Sequence, residues 1–298
     1  MAAEETVFVE GSPCVVLDTV RMSFRVTSND RSSGQHGSTV QRAARKMLGR
    51  LHSVRVDALN ELSLVVERGE SVGIIGRNGS GKSTMMKLIS GQLTPSSGAV
   101  YASSTPIMLG VNAALVPELS GDQNVVLGCL AMGMEWQTIM EKFDGIVELS
   151  GLEKSIYLPM RSYSSGMGSR LRFAIAAAVD PEILLVDEAL NTGDAQFVDR
   201  SRQRMAELRA NAGCVFLVSH SLETINNMCS RVIWLDHGDL IMDGSPRATT
   251  AAYRRFTGEL AKGNNITAQQ IKDDARAQLI ATQVRPRISG RRKSAGTR

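Results

Sequence analysis

Apolar and polar residues alternate over 14–26 (CVVLDTVRMSFRV), and β-branched side chains are frequent there. A period of two predicts a β-strand, with Phe24 near its end. Residues 27–37 (TSNDRSSGQHG) hold no apolar anchor and read as loop. Over 38–51 the period changes, with Val40, Met47, Leu48 and Leu51 apolar and Arg42, Arg45, Lys46 and Arg50 basic. That pattern predicts a short basic amphipathic helix, which packs on its own domain or lies against a membrane face or membrane partner. Residues 54–67 read as a strand with a bend, Arg68-Gly69-Glu70 as its turn, and 71–75 (SVGII) as a buried strand. A helix is predicted over 83–93, then a turn at Pro95-Ser96-Ser97-Gly98 and a strand through Val100 and Tyr101.

From 110 to 159 the texture changes. Strand signals stop, and helical patterns rich in Met, Leu and separating Gly run over 122–133 and 136–150, with one more short piece behind them. This reads as a helical subdomain, spanning 110–165, inserted in an α/β core. Residues 161–179 (RSYSSGMGSRLRFAIAAAV) are a loop running into a strong helix. Residues 182–187 (EILLVD) form a continuous apolar strand, as in a sheet covered on both faces. A helix over 195–210, a buried strand over 214–219 (CVFLVS) and a helix over 221–229 follow. Residues 231–242 (RVIWLDHGDLIM) read as a hairpin turning at His237-Gly238-Asp239, and 249–260 as a last amphipathic helix. Beyond Lys262 the chain turns polar and basic, so 261–298 is expected to be a disordered tail.

Composition narrows this little. The chain has 298 residues, room for one or two domains, and 43% hydrophobic content is ordinary for a globular protein. A net charge of +4 and a pI of about 9.0 permit contact with nucleic acid or an anionic membrane without requiring either. Cys14, Cys129, Cys214 and Cys229 lack paired spacing, which fits a reducing compartment and neither a disulfide framework nor a zinc site. Residues 1–13 carry three glutamates and no apolar core, so they are expected to be a flexible N-terminus rather than a signal peptide. No apolar run is long enough to span a bilayer, so membrane work would fall to a partner.

The candidate chemistry centres on Gly76-Arg77-Asn78-Gly79-Ser80-Gly81-Lys82-Ser83-Thr84, between a buried strand and a helix. Glycines let the backbone wrap a phosphate chain with its N–H groups inward, and the helix start adds a positive dipole end. Lys82 can reach the β- and γ-phosphates, Ser83 can hold Mg²⁺, and Thr84 offers a hydroxyl near the α-phosphate. Downstream, Asp187 closes an apolar strand and suits Mg²⁺, and Glu188 can polarise a water in line with the γ-phosphate. Ser164, Ser165 and Gly166 begin a helix, either as a plain serine cap or as a second anion-binding start. His220 follows a buried strand, as a strand-end residue or as a γ-phosphate sensor.

In this order, 76–84, Tyr163-Ser164-Ser165-Gly166-Met167, Leu184 through Glu188 and His220 resemble an ATP-binding cassette (ABC) ATPase. The resemblance covers 14–260. It implies an α/β fold: a P-loop NTPase core of ABC type with an antiparallel β subdomain and the inserted helical subdomain. It further implies an ATP sandwich homodimer, in which Ser164 to Gly166 close the partner's ATP. Asn191-Thr192-Gly193-Asp194 then resembles the loop after the catalytic glutamate, with Asp194 its acidic residue, and Phe24 stands where an aromatic stacks on adenine.

The serine-rich signature and the polar insertion over 27–53 look like the nucleotide-binding subunits of polysaccharide exporters, the type serving O-antigen, teichoic acid and cell-wall galactan. Leu109-Gly110, Pro117-Glu118-Leu119-Ser120-Gly121 and Gln123-Asn124 also resemble that group. The implied partner is an integral-membrane permease that handles the lipid-linked glycan, with this subunit peripheral on the cytoplasmic face of the plasma membrane. The tail after residue 260 reads as too short and polar for a carbohydrate-binding sandwich, so glycan recognition is expected to lie in the permease. One position departs: no glutamine precedes Pro117, where Val111 and Asn112 stand instead, and Asn112 offers a shorter amide. The alternative is a cassette ATPase acting on nucleic acid or ribosomes, for which the basic tail speaks. The chain holds neither a second cassette nor a coiled-coil insertion, so no nucleic acid is expected.

Overall fold

A computed structural model describes residues 13–28, 52–109, 115–187, 195–280 and 282–284. Two sheets carry the fold. The first is antiparallel, with β1 (Pro13–Ser28) between β2 (His52–Glu67) and β4 (Ser97–Ala102). The predicted bend is a set of bulges: the β1–β2 register slips between Leu17 and Val20 and again at Met22/Ser23. Gly98 (φ +79) passes this irregular stretch so closely that a Cβ would meet Thr19 O at 2.3 Å.

The second sheet has the order β5-β6-β7-β3-β8-β9. β3 (Ser71–Ile75), β5 (Ile107–Leu109), β6 (Ile183–Asp187), β7 (Cys214–Val218) and β8 (Arg231–Asp236) run parallel, and β9 (Asp239–Gly244) closes the edge antiparallel. Alternate residues of one strand serve opposite faces, as the pleat demands. Ile183 and Leu185 join the core beneath the antiparallel sheet, together with Met85, Met86, Leu88 and Ile89 of α1 (Lys82–Ile89). Leu184 and Val186 join the core on the other face. There Trp234 packs against Tyr253 and Phe256, ring centroids 5.5 and 5.0 Å away, on α7 (Pro246–Ala261).

A third core holds the helical layer of α2 (Gly121–Ala131), α3 (Trp136–Ser150) and α4 (Ser165–Ala178). The short third piece is a 3-10 turn, Met160–Ser162. α5 (Ala195–Asn211) and α6 (Leu222–Met228) complete the connections between strands.

Four expectations change. The helix after the phosphate loop stops at Ile89, because Gly91 turns left-handed (φ +73) and donates to Leu88 O. Strand β5 is short and was not expected; it adds a parallel strand beside β6. The expected loop does not begin at residue 27, since Thr27 pairs with Ser53 and Ser28 with His52; the basic helix over 38–51 lies outside the described residues. The disordered tail from 261 is corrected too, because α8 (Asn265–Arg276) forms and buries Ala268 and Ala275. With Ile271 they make a narrow stripe at helical spacing, which a mean over composition conceals.

Candidate functional site

β3 has β7 on one side and β8 on the other, and β7 lies beside β6. Ile74 and Asp187 both pair with Val218, so the carboxyl ends of β3, β6 and β7 lie level. This brings the loop after Ile75, the carboxylate of Asp187 and the segment Ser219-His220 to one sheet edge. Parallel sheets bind ligands at such an edge, outside the carboxyl ends of the strands. Asp187 is half-buried and His220 exposed there.

The loop geometry follows from its glycines. A Cβ on Gly76 (φ +153) would lie 2.2 Å from Leu235 O, and one on Gly81 (φ +105) 2.7 Å from Ala58 O. Neither position can carry a side chain, and both hold the loop tight against β8 and β2. Gly81 caps α1 without a side-chain hydrogen bond, so the first N–H groups of the helix remain for an anion. Arg77, Asn78, Gly79 and Ser83 are exposed, Thr84 is half-buried, and Ser80 is buried with its carbonyl accepting from Gly238 N at 3.1 Å.

Lys82 is 8% exposed, and its Nζ donates to Gly76 O at 2.7 Å and Arg77 O at 3.0 Å. Burial lowers its pKa, and the charge of Asp187 opposes that shift. The lysine therefore sits over the loop it closes, within the electrostatic reach of the acid.

The other expected residues divide. Phe24, 37% exposed, faces Val56 across the β1–β2 pair. Met22 pairs with Leu59, which a Cβ on Gly81 would strike, so Phe24 stands two residues, about 7 Å along β1, beyond the strand pair that adjoins the phosphate loop. Phe24, Val26, Val54 and Val56 form one exposed apolar face at this end of the β1–β2 pair. Ser164 caps α4, its Oγ accepting Met167 N–H at 3.2 Å, which is the plain reading of that serine. Ser165 is exposed and Gly166 half-buried, and no hydrogen bond among the described residues joins 164–166 to the phosphate loop. Glu188, Asp194 and Asn112 lie outside the described residues.

Two contributors receive no structural role from the sequence. Asn124 is fully buried and makes four hydrogen bonds to the segment entering α2. The turn at His237-Gly238 was read only as a hairpin end, yet its backbone touches Ser80. A buried polar side chain inside an apolar helix is a faint sequence signal for the first; the second has none.

Oxygen donors at the site suit Mg²⁺. Ser83 and Asp187 supply a hydroxyl and a carboxylate, the hard ligands that ion takes beside phosphate oxygens. Among the described residues no group of three or more His, Cys, Asp or Glu forms a metal cage, and Mg²⁺ on nucleotide needs none. No helix among the described residues is long and apolar enough to cross a membrane.

Residues 59–191 match the family described as ABC transporter. The chain is 38% identical over 223 residues to a teichoic acids export ATP-binding protein of Lactococcus lactis subsp. lactis, covering 74% of this chain and 48% of the relative. It is 35% identical over 249 residues to an O-antigen export system ATP-binding protein of Myxococcus xanthus, covering 82% and 56%. A teichoic acids export ATP-binding protein of Staphylococcus saprophyticus subsp. saprophyticus is 32% identical over 217 residues, covering 73% and 82%. The chain thus spans about half the length of several curated relatives it matches. Among solved structures, an ATP binding subunit of an ABC transporter superposes with a TM-score of 0.60 at 22% identity, over 82% of this chain and 93% of that one, a likeness of fold. The chain belongs to the ABC transporter family, in the group of ATP-binding proteins that includes those of teichoic acid and O-antigen export.

Proposed function

We propose that this protein is the ATP-hydrolysing subunit of an ABC exporter for a lipid-linked polysaccharide, working as a homodimer with a separate permease. The convergence of the phosphate loop, Asp187 and His220 on one sheet edge carries the reading. Backbone N–H groups of 76–84 and the Lys82 ammonium bind and orient the phosphates. Ser83 and Asp187 would hold Mg²⁺, which neutralises phosphate oxygens when bound. Glu188, next along from Asp187, is assigned to polarise the attacking water, and His220 to sense the γ-phosphate. Phe24 is assigned to the adenine face.

In the homodimer, Ser164, Ser165 and Gly166 would act on the partner's ATP, with Asp194 at the seam between subunits. The exposure of Ser164 and its place on the helical layer support that use. The permease is proposed to dock on the same layer, where Leu127, Leu130, Trp136 and Met140 are exposed apolar side chains. Met132 and Met134 belong to the packing of that layer. The protein would then sit peripherally on the cytoplasmic face of the membrane. The export roles in the relatives' names favour this over work on nucleic acid.

Lys82→Ala is expected to lose ATP binding, and Glu188→Gln to bind ATP, dimerise and release phosphate at least about a hundredfold more slowly. Light scattering and phosphate release test both. A Glu188→Gln protein turning over at the wild-type rate would remove the assignment.

A further inference from the structure

The turn between β8 and β9 braces the phosphate loop. Gly238 N–H donates to Ser80 O at 3.1 Å, and Gly238 O accepts from Asn60 N at 2.9 Å. At the loop's other end, Gly76 lies against Leu235 O. Residues 235–238 therefore form a wall against which both ends of the loop rest.

Asp236 is the charge within that wall. Its side chain is 3% exposed, and its Oδ1 is buried with no hydrogen-bond partner among the described residues. Oδ2 accepts from Lys272 Nζ at 2.6 Å and lies 3.0 Å from Nδ1 of His237, whose ring is largely in solvent. Burial pushes the Asp236 carboxyl up, but hydrogen bonds from Lys272 and then His237 outweigh it and hold the group below its ordinary range. Lys272 lies on α8, outside the residues matched to the family, and is itself 14% exposed. One turn later Arg276 reaches Asp239 at 3.5 Å, whose Oδ1 takes Asn60 Nδ2 at 2.7 Å.

We propose that Lys272 is a positioning residue for the phosphate loop: by neutralising Asp236 it keeps the β8–β9 turn against Ser80 and Gly76. Without the lysine, only the solvent-facing His237 ring remains beside the buried carboxylate, and its uncompensated charge draws it from its place toward water. Asp236 is covalently two residues from Gly238, and Leu235 is its neighbour, so its departure withdraws both braces together. The proposal rests on the nucleotide-binding reading of that loop. An ion pair that merely anchored α8 would affect stability and leave nucleotide affinity alone.

The test uses the full chain and a fluorescent N-methylanthraniloyl ATP. Binding by wild type, lost in Lys82→Ala, supports the underlying reading; no binding by wild type overturns reading and proposal together. Lys272→Met is expected to raise Kd by about tenfold or more and KM for ATP alike, with kcat at saturation changed by less than about threefold. Lys272→Arg keeps the charge and is expected within about threefold of wild type. Lys272→Met with Asp236→Asn removes both charges and is expected to recover most of the affinity, since a neutral amide has no charge to expel. Wild-type Kd in Lys272→Met, or no recovery in the double variant, overturns the proposal while leaving the nucleotide reading intact. Should Lys272→Met not fold, the double variant decides: folding with near-wild-type Kd supports it, and failure to fold or to bind overturns it.

Discussion

Asn124→Leu tests how the helical layer is attached. Asn124 is fully buried in the first turn of α2. Its Oδ1 accepts Val116 N–H at 2.7 Å, and Nδ2 donates to the carbonyls of Val116, Leu119 and Ser120 at 3.0, 3.2 and 2.8 Å. Leucine is close in volume, so little cavity opens, but all four bonds vanish. Their loss is unequal. Val116 O keeps Leu119 N–H, Leu119 O keeps Met160 N–H, and Ser120 O keeps the N–H of residue 124 itself. Val116 N–H keeps no other acceptor among the described residues. An orphaned donor costs about 1–3 kcal/mol; since Val116 is only half-buried, the lower half of that range applies. Weaker bonding at the three carbonyls brings the expected loss to about 2 kcal/mol, or roughly 3 °C in Tm for a chain of this size. Asn124→Asp keeps the acceptor but turns a charge toward three carbonyls, so it should cost more than leucine. Urea midpoints and thermal melts by circular dichroism measure both. A leucine variant within about 0.5 kcal/mol of wild type, or an aspartate better tolerated than leucine, refutes the clamp.

Gly76→Ala should reduce nucleotide affinity by at least about tenfold with the fold retained, because its Cβ meets the fixed backbone of Leu235 as well as the Ser80 side chain; titration with labelled ATP reads this. Arg231→Met should lower stability by about 3 kcal/mol, since Nε and Nη2 both hold Asp243 at 2.7 Å and the acid, 15% exposed, is left without them; denaturant unfolding checks it. For pH, the folded Asp236 carboxyl lies below its ordinary 3.8, so its stabilisation is present above that pH and lost as pH falls through the folded value. The stability gap between wild type and Lys272→Met should therefore be wide at pH 7 and narrow toward pH 3, and a constant gap would assign the effect to another group.

Local chemistry was legible along the chain. The glycines, Lys82 and Ser83 declare a phosphate loop because each backbone and side-chain demand falls within nine consecutive residues. The apolar runs at 71–75, 182–187 and 214–219 declare buried parallel strands for the same reason of short range. The helical layer was legible from its change of period. Order within the sheet was not, because pairing depends on surfaces far apart in sequence: β3 settles between β7 and β8, about 140 residues and more downstream, and only that order brings Asp187 and His220 level with the loop. The tail misled for a related reason. Its polar composition outvotes three apolar positions, and Ala268, Ile271 and Ala275 gain their value from packing against α7 and β9. The link from Lys272 through Asp236 to Ser80 joins residues 272, 236 and 80, and no local pattern could announce it. What the sequence determined was the chemistry each short segment can perform; the tertiary structure decided which segments meet, because buried charge and close-packed backbone choose their partners by space and not by chain order.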